Sequence, residues 1–191
     1  MMLASLLILA GCSADTTSPS KGAAASSDLL GGVLGGVVGV VNNVLTPVVG
    51  LARLTPLASD ITVTQQIGTA GGTLSIPAAG ATVVVPAGAV SAPTQFTMTA
   101  RKGYVIAYDF APHGTTFAKP LVFTQSLKGT SASLLNVTLL KLGYYADPSQ
   151  LSFVGGLVSE LTSGVTSLLS WTFTANIKHF SGYMIACDRG Q

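Results

Sequence analysis

From residue 60 onward, apolar and small polar side chains alternate with a period of two, and this alternation narrows the possible folds more than any other feature of the chain. Leu74 and Ile76, Val83 and Val85, and Phe96, Met98 and Ala100 alternate with Thr, Ser and Gln. Tyr104, Ile106, Tyr108 and Phe110 continue the pattern, followed by Leu121 and Phe123, and then by Val137 and Leu139. Trp171, Phe173, Ala175 and Ile177, with Thr172, Thr174, Asn176 and Lys178 between them, and finally Tyr183, Ile185 and Cys187 complete it. Only an extended strand sends successive side chains to opposite faces, so each run reads as a half-buried strand. Gly71-Gly72, Pro86-Ala87-Gly88, Ala92-Pro93, Lys102-Gly103, Pro112-His113-Gly114 and Asp147-Pro148 punctuate the runs with turn chemistry. Short antiparallel strands at this spacing predict a mainly β chain, an antiparallel β-sandwich over residues 59–191.

Two stretches carry a different rhythm. Within residues 29–52, Leu30, Leu34, Val37, Val41, Val44, Val48 and Leu51 recur at alternating steps of four and three, and Val154, Val158, Leu161, Val165 and Leu168 do the same. That spacing predicts an apolar Gly-rich helical or linker segment over 29–58 and a helical insertion at about 150–169. The first stretch contains Pro47 and many glycines, including Gly31, Gly35 and Gly39 at a spacing that allows close helix approach. Glycine costs about 1 kcal/mol per helical position relative to alanine, so such a helix needs a partner surface. The two segments are expected to pair with each other against the β domain, with membrane-surface contact or an unstructured apolar linker as the rival readings.

The N-terminus explains where such a chain resides. Met1 to Ala10 is an apolar run too short to span a bilayer as a permanent helix, and it reads as the core of a signal peptide, residues 1–11. No Lys or Arg precedes it, so the export reading expects the true start to lie upstream or the assigned start codon to be wrong. Leu9-Ala10-Gly11-Cys12 resembles the lipobox of bacterial lipoproteins, which implies diacylglycerol on the Cys12 thiol, further acyl chains such as palmitate, and a membrane partner reached through that lipid. Residues 12–28 are small and polar and form the expected lipidated flexible tether. The resemblance places the protein in the cell envelope, at the outer membrane if the source is Gram-negative, since Ser13 is not acidic. With Cys12 acylated, Cys187 is the one thiol left and no intrachain disulfide is available.

Charge excludes further classes. Only 8% of residues are charged, the net charge is +2, and Arg101-Lys102 is the one adjacent basic pair, so nucleic acid is not an expected partner. Two histidines, no clustered carboxylates, no Gly-x-Ser-x-Gly, no phosphate-binding loop and no zinc spacing leave no cofactor or metal site to expect. Asp109 and His113 could face each other across a turn, a pairing more typical of a surface hydrogen bond than of catalysis. Asn136-Val137-Thr138 matches a glycosylation sequon, but the lipobox argues for a bacterial export route.

Three stretches together look like the ZU-five domain, the β-sandwich of zonula-occludens proteins, netrin receptors and ankyrins. They are Gly71-Gly72-Thr73-Leu74, Val84-Val85-Pro86-Ala87-Gly88-Ala89-Val90, and Pro112-His113-Gly114-Thr115-Thr116-Phe117-Ala118-Lys119-Pro120-Leu121. The residues themselves agree: Gly88 and Gly114 suit positive φ, Phe117 can plug one end of a sandwich, and Pro120 requires a strand start or edge. The resemblance covers about residues 60–187 and implies a scaffold or interaction module rather than an enzyme. His179-Phe180-Ser181 further resembles the self-cleavage site of certain ZU-five relatives, in which Ser181 Oγ would attack the Phe180 carbonyl with His179 as proton acceptor. The bland alternative is a turn in which Phe180 caps the core. The expected function is a membrane-anchored envelope lipoprotein whose sandwich is a non-catalytic binding or structural module with an envelope protein or polysaccharide partner. Self-cleavage between Phe180 and Ser181 is one alternative. A carbohydrate-binding module using Tyr104, Tyr108, Tyr144, Tyr145 or Trp171 is the other.

Overall fold

A computed structural model describes residues 46–134, 140–152 and 155–187. Among the described residues there are fifteen strands and a few short 3-10 segments. One sheet runs β13 (Val165–Ser167), β14 (Thr172–His179), β9 (Thr116–Ser126), β5 (Ala81–Val85) and β4 (Gly72–Ile76), all antiparallel. The other is built around β15 (Gly182–Cys187). One edge of β15 pairs with β10 (Leu140–Tyr145), which in turn pairs with β12 (Glu160–Ser163). Its other edge is shared. The first half of β15 pairs with β8 (Ala107–Ala111), which leads on to β6 (Thr94–Ala100) and β3 (Ile61–Ile67). The second half pairs with β1 (Thr46–Gly50), followed by β11 (Gly155–Val158). A short ladder of β2 (Ala52–Leu57) and β7 (Gly103–Val105) closes one end.

The period-two residues meet between the sheets. Leu74, Ile76, Val83, Val85, Leu121, Phe123, Phe173 and Ile177 of one sheet pack against Phe96, Met98, Tyr108, Phe110, Leu142 and Ile185 of the other, all at 3% exposure or less. Thr172, Thr174, Asn176 and Lys178 alternate with them on the outer face. The sandwich reading of the sequence is therefore seen directly. Val137 and Leu139, the sequon and all residues before Thr46, Cys12 included, lie outside the described residues.

The helical expectations fail where they can be read. Residues 155–167 form β11, β12 and β13, and residues 46–57 form β1 and β2, so the sandwich begins earlier than residue 59. Strand bends explain the misleading spacing. Ser159 breaks the run between β11 and β12, and Leu51 breaks it between β1 and β2. A bend shifts the two-residue parity by one, so Val158 and Leu161 face one apolar cluster despite a spacing of three. Glycine pairs and β-branched residues, as in Gly155-Gly156 and Gly164-Val165-Thr166, favour strand over helix throughout this stretch. The two segments do pair with each other, but as an antiparallel ladder with Thr46 opposite Val158 and Val49 opposite Gly155. Beneath that ladder a second cluster of Val48, Val105, Ala107, Tyr145, Val158, Met184 and Ala186 covers the outer face of β15.

Candidate functional site

The chain crosses from one sheet to the other at Phe180-Ser181, between β14 and β15. The three motifs singled out in the sequence gather at this end of the sandwich, where main-chain and lysine contacts tie them together. Gly88 N–H donates to Thr69 O at 2.8 Å, and Ala118 N–H to Ala89 O at 3.1 Å. Lys119 Nζ donates to Ala87 O at 2.7 Å. Gly88 and Gly114 have φ of 76° and 75°, as their turns require. Gly71, with φ of 81°, has no room at all, since a Cβ there would lie 2.3 Å from Val85 O. Pro120 sits inside β9 rather than at its start. The ladder to β14 skips from Leu121 opposite Ile177 to Thr116 opposite His179, and Pro120 lies in the skipped stretch, where no ladder hydrogen bond is lost.

Phe180 is the plug. It is fully buried, with ring centroids 4.8 Å from Phe96 and from Phe117 in edge contacts and 5.3 Å from Phe110 in a stacked one. Phe117, the expected plug, is only partly buried and packs on Phe180 from outside. The main chain around Phe180 is clamped on both sides. Phe180 N–H donates to Thr115 O at 2.9 Å, Gly114 N–H to Phe180 O at 3.0 Å, and Phe110 N–H to Ser181 O at 3.0 Å. Thr115 Oγ1 fixes the same turn by donating to Pro112 O at 2.8 Å.

The His179 side chain is engaged by Tyr183. Its ring nitrogens lie 3.3 and 3.4 Å from the Tyr183 hydroxyl, which itself donates to His179 O at 2.9 Å. The ring also meets Tyr144 edge-on at 5.6 Å. No hydrogen bond joins His179 to Ser181 among the described residues. The arrangement thus offers one donor, Gly114 N–H, to the Phe180 carbonyl, and a histidine committed to a tyrosine. Intact-mass measurement after boiling in denaturant is expected to find Ser181–Gln191 still covalently attached, and Ser181→Ala to leave the mass pattern unchanged apart from the substitution. A free eleven-residue C-terminal fragment in the wild type alone would overturn this.

Asp109 does not meet His113. It accepts from the Tyr145 hydroxyl at 2.8 Å and pairs with Arg101 at 3.3 Å, which also pairs with Asp60 at 2.9 Å. Beside this cluster lies a cleft of about 280 Å³ lined by Arg101, Lys102, Tyr104, Val105, Leu151 and Ser152 among others. Of the aromatic candidates, Tyr108 and Tyr145 are core residues, Tyr104 and Tyr144 are half-buried, and Trp171 is 37% exposed. Sequence reading missed Arg53, which is 6% exposed and donates Nη1 to Val105 O at 2.6 Å. As a lone charge in β2 it gave no sign of burial.

No model of a known protein family matches the chain, and no curated protein matches it in sequence.

The buried tyrosines set an alkaline limit. Burial pushes the Tyr108 hydroxyl up to about 12, against the opposing charge of Arg53. Burial, followed by the Asp109 carboxylate alongside, raises Tyr145, and burial with the Glu160 charge raises Tyr183. Each folded value lies above the unfolded value of 10.0. Below that pH both states are neutral and the fold keeps its full stability; above it the unfolded chain ionises first, so stability falls as pH rises. Unfolding and tyrosinate absorbance are expected to rise together above pH 10. Ionisation of all five tyrosines in a fold that stays intact would contradict this.

Proposed function

We propose that the protein is a lipid-anchored component of a bacterial cell envelope, with Cys12 as the acylated residue and a ZU-five-like β-sandwich that binds or braces a partner without catalysing a reaction. The observation that carries the non-catalytic half is the state of His179-Phe180-Ser181. A buried aromatic plug with both flanking peptide groups hydrogen-bonded supports a structural role for the tripeptide that most resembles a reactive one. The gathering of the three ZU-five-like motifs at the same end supports the family reading, since their residues engage one another instead of serving separate loops.

The anchor half rests on Leu9-Ala10-Gly11-Cys12 and the small polar stretch after it. A single acyl chain binds membranes only marginally, whereas two or more hold a protein durably. Mature protein is therefore expected to begin at Cys12, to carry the mass of a diacylglyceryl group and an acyl chain, and to remain with the membrane fraction after a high-salt wash. Cys12→Ser is expected to abolish both the added mass and the retention of the processed form. Mature protein with an unmodified thiol would refute the anchor.

A polysaccharide partner is the second reading, favoured by the cleft that sets the half-buried Tyr104 beside Arg101, Lys102 and Ser152. Pull-down on envelope glycan with Tyr104→Ala as the control distinguishes it from a protein partner.

A further inference from the structure

The end of the sandwich opposite Phe180 carries most of the large apolar side chains that the fold leaves exposed. β14 runs from Thr172 to His179 and β15 returns, so Cys187 and Trp171 lie at the same end. The sheets stay aligned over this distance. Tyr144 meets His179 at one end, while Gly164, just beyond β12, abuts Phe173 of β14 toward the other. The β13–β14 hairpin projects from that end with Leu168 57%, Leu169 101% and Trp171 37% exposed, and Val165 72% exposed at its base. Leu127 N–H donates to Trp171 O at 2.8 Å, which sets the turn holding Lys128 against the hairpin. Leu54 N–H donates to Gly129 O at 2.9 Å, bringing a further leucine, 57% exposed, to the same place. Lys128 and Lys102, in the turn before β7, are both exposed at this end, whereas the nearby Asp60 is engaged by Arg101 and by the Lys102 N–H.

We propose that this end is a second membrane contact, in which Leu168, Leu169 and Trp171 enter the interfacial region of an anionic bilayer while Lys102 and Lys128 meet its headgroups. The proposal rests on the lipid-anchor reading and deepens it. Three observations select a lipid surface over other occupants. The exposed group is a convex tip rather than a groove, which suits a fluid surface. Its composition, leucines with a tryptophan and flanking lysines, matches what the interface stabilises: indole at headgroup level, apolar chains below and basic residues beside anionic lipids. The chain also enters the fold here. Val49 lies opposite Cys187 and Thr46 lies further out, so residues 12–45, which lead to the lipid-bearing cysteine, join the sandwich at the end that carries the tip.

Trp171 is the only tryptophan in the chain, so its fluorescence reports this tip alone. The test uses full-length acylated protein in vesicles of phosphatidylethanolamine and phosphatidylglycerol, with and without lipids brominated on their acyl chains. The expected result is strong quenching by the brominated lipid, weak quenching by aqueous iodide, and loss of the lipid quenching in Leu168→Ser with Leu169→Ser. Both serines replace exposed side chains, so thermal unfolding is expected to stay unchanged and to rule out misfolding. Trp171 open to iodide and untouched by brominated lipid overturns the proposal. Shielding from both quenchers also overturns it, since a second copy or another segment of the chain would then cover the tip. Acylation is read separately from the intact mass of the same sample. A sample without acyl groups refutes the anchor, while its Trp171, mixed with the same vesicles, still reads the tip.

Discussion

Phe180→Ala is expected to destabilise the fold by about 3–5 kcal/mol, the range for truncating a fully buried aromatic residue. The ring fills the end of the sandwich, in contact with Phe96, Phe110 and Phe117, which come from three different strands. Truncation removes its transfer free energy and leaves a cavity that these rings can close only in part, because Phe96 and Phe110 are themselves buried and held on paired strands. Edge and stacked aromatic pairs add about 0.5–1.5 kcal/mol each beyond area burial. Ser181→Ala, one residue away, is expected to change stability by less than about 1 kcal/mol, because no described hydrogen bond depends on its side chain. Denaturant unfolding of the two variants separates the readings of this tripeptide. A structural plug makes Phe180 the sensitive position and Ser181 the tolerant one. A Phe180→Ala protein as stable as wild type would remove the basis for the non-catalytic reading.

How far the sequence discloses this molecule depends on whether strands are straight. In β6, over residues 121–126 of β9 and over residues 172–177 of β14 the two-residue parity holds, and Phe96, Met98, Leu121, Phe123, Phe173 and Ile177 fall where alternation puts them. At Ser159 the backbone bends, and Val158 and Leu161, spaced by three, end up against one cluster, which imitates a helical seam, whereas Val48 and Leu51 fall in different clusters despite the same spacing. Glycine and β-branched content argued the other way and outweighs spacing in a segment this poor in helix formers. The second cluster did leave a signal. β15 is apolar at successive positions, with Tyr183 and Ile185 facing one core and Met184 and Ala186 the other, as a strand buried on both faces must be. The motifs around Gly88 and Gly114 were legible as turns, but the plug is Phe180 rather than Phe117, and the meeting of the motifs at the Phe180 end arises from sheet topology, of which spacing along the chain carries no record. The exposed hairpin was hidden for a related reason: Trp171 lies in parity with Phe173 and so reads as core, whereas it occupies a turn with φ of 51°.

Gly182→Ala provides the second large effect, of about 3 kcal/mol, through overpacking rather than through a cavity. A Cβ at Gly182 would lie 2.4 Å from Tyr145 Cε2 and 2.7 Å from Tyr145 Cδ2 and Cζ. Flexible side-chain ends can step aside from such a clash, but this ring cannot. Tyr145 is 1% exposed, packed in the second cluster, and its hydroxyl donates to Tyr108 O at 3.1 Å and to the Asp109 carboxylate. Moving the ring would break those bonds and leave Asp109 with Arg101 alone. The strand cannot move instead, because Gly182 is paired on both edges, opposite Tyr145 and opposite Asp109. The argument makes a non-additive forecast. Tyr145→Ala by itself removes a buried ring and is costly, but in a Gly182→Ala background it also relieves the clash, so the double variant should be more stable than the sum of the two losses predicts, by about 1–2 kcal/mol. Additive losses across that cycle would mean that the β15 backbone yields at Gly182, and the rigid crossover from Phe180 into β15 would then lose its support.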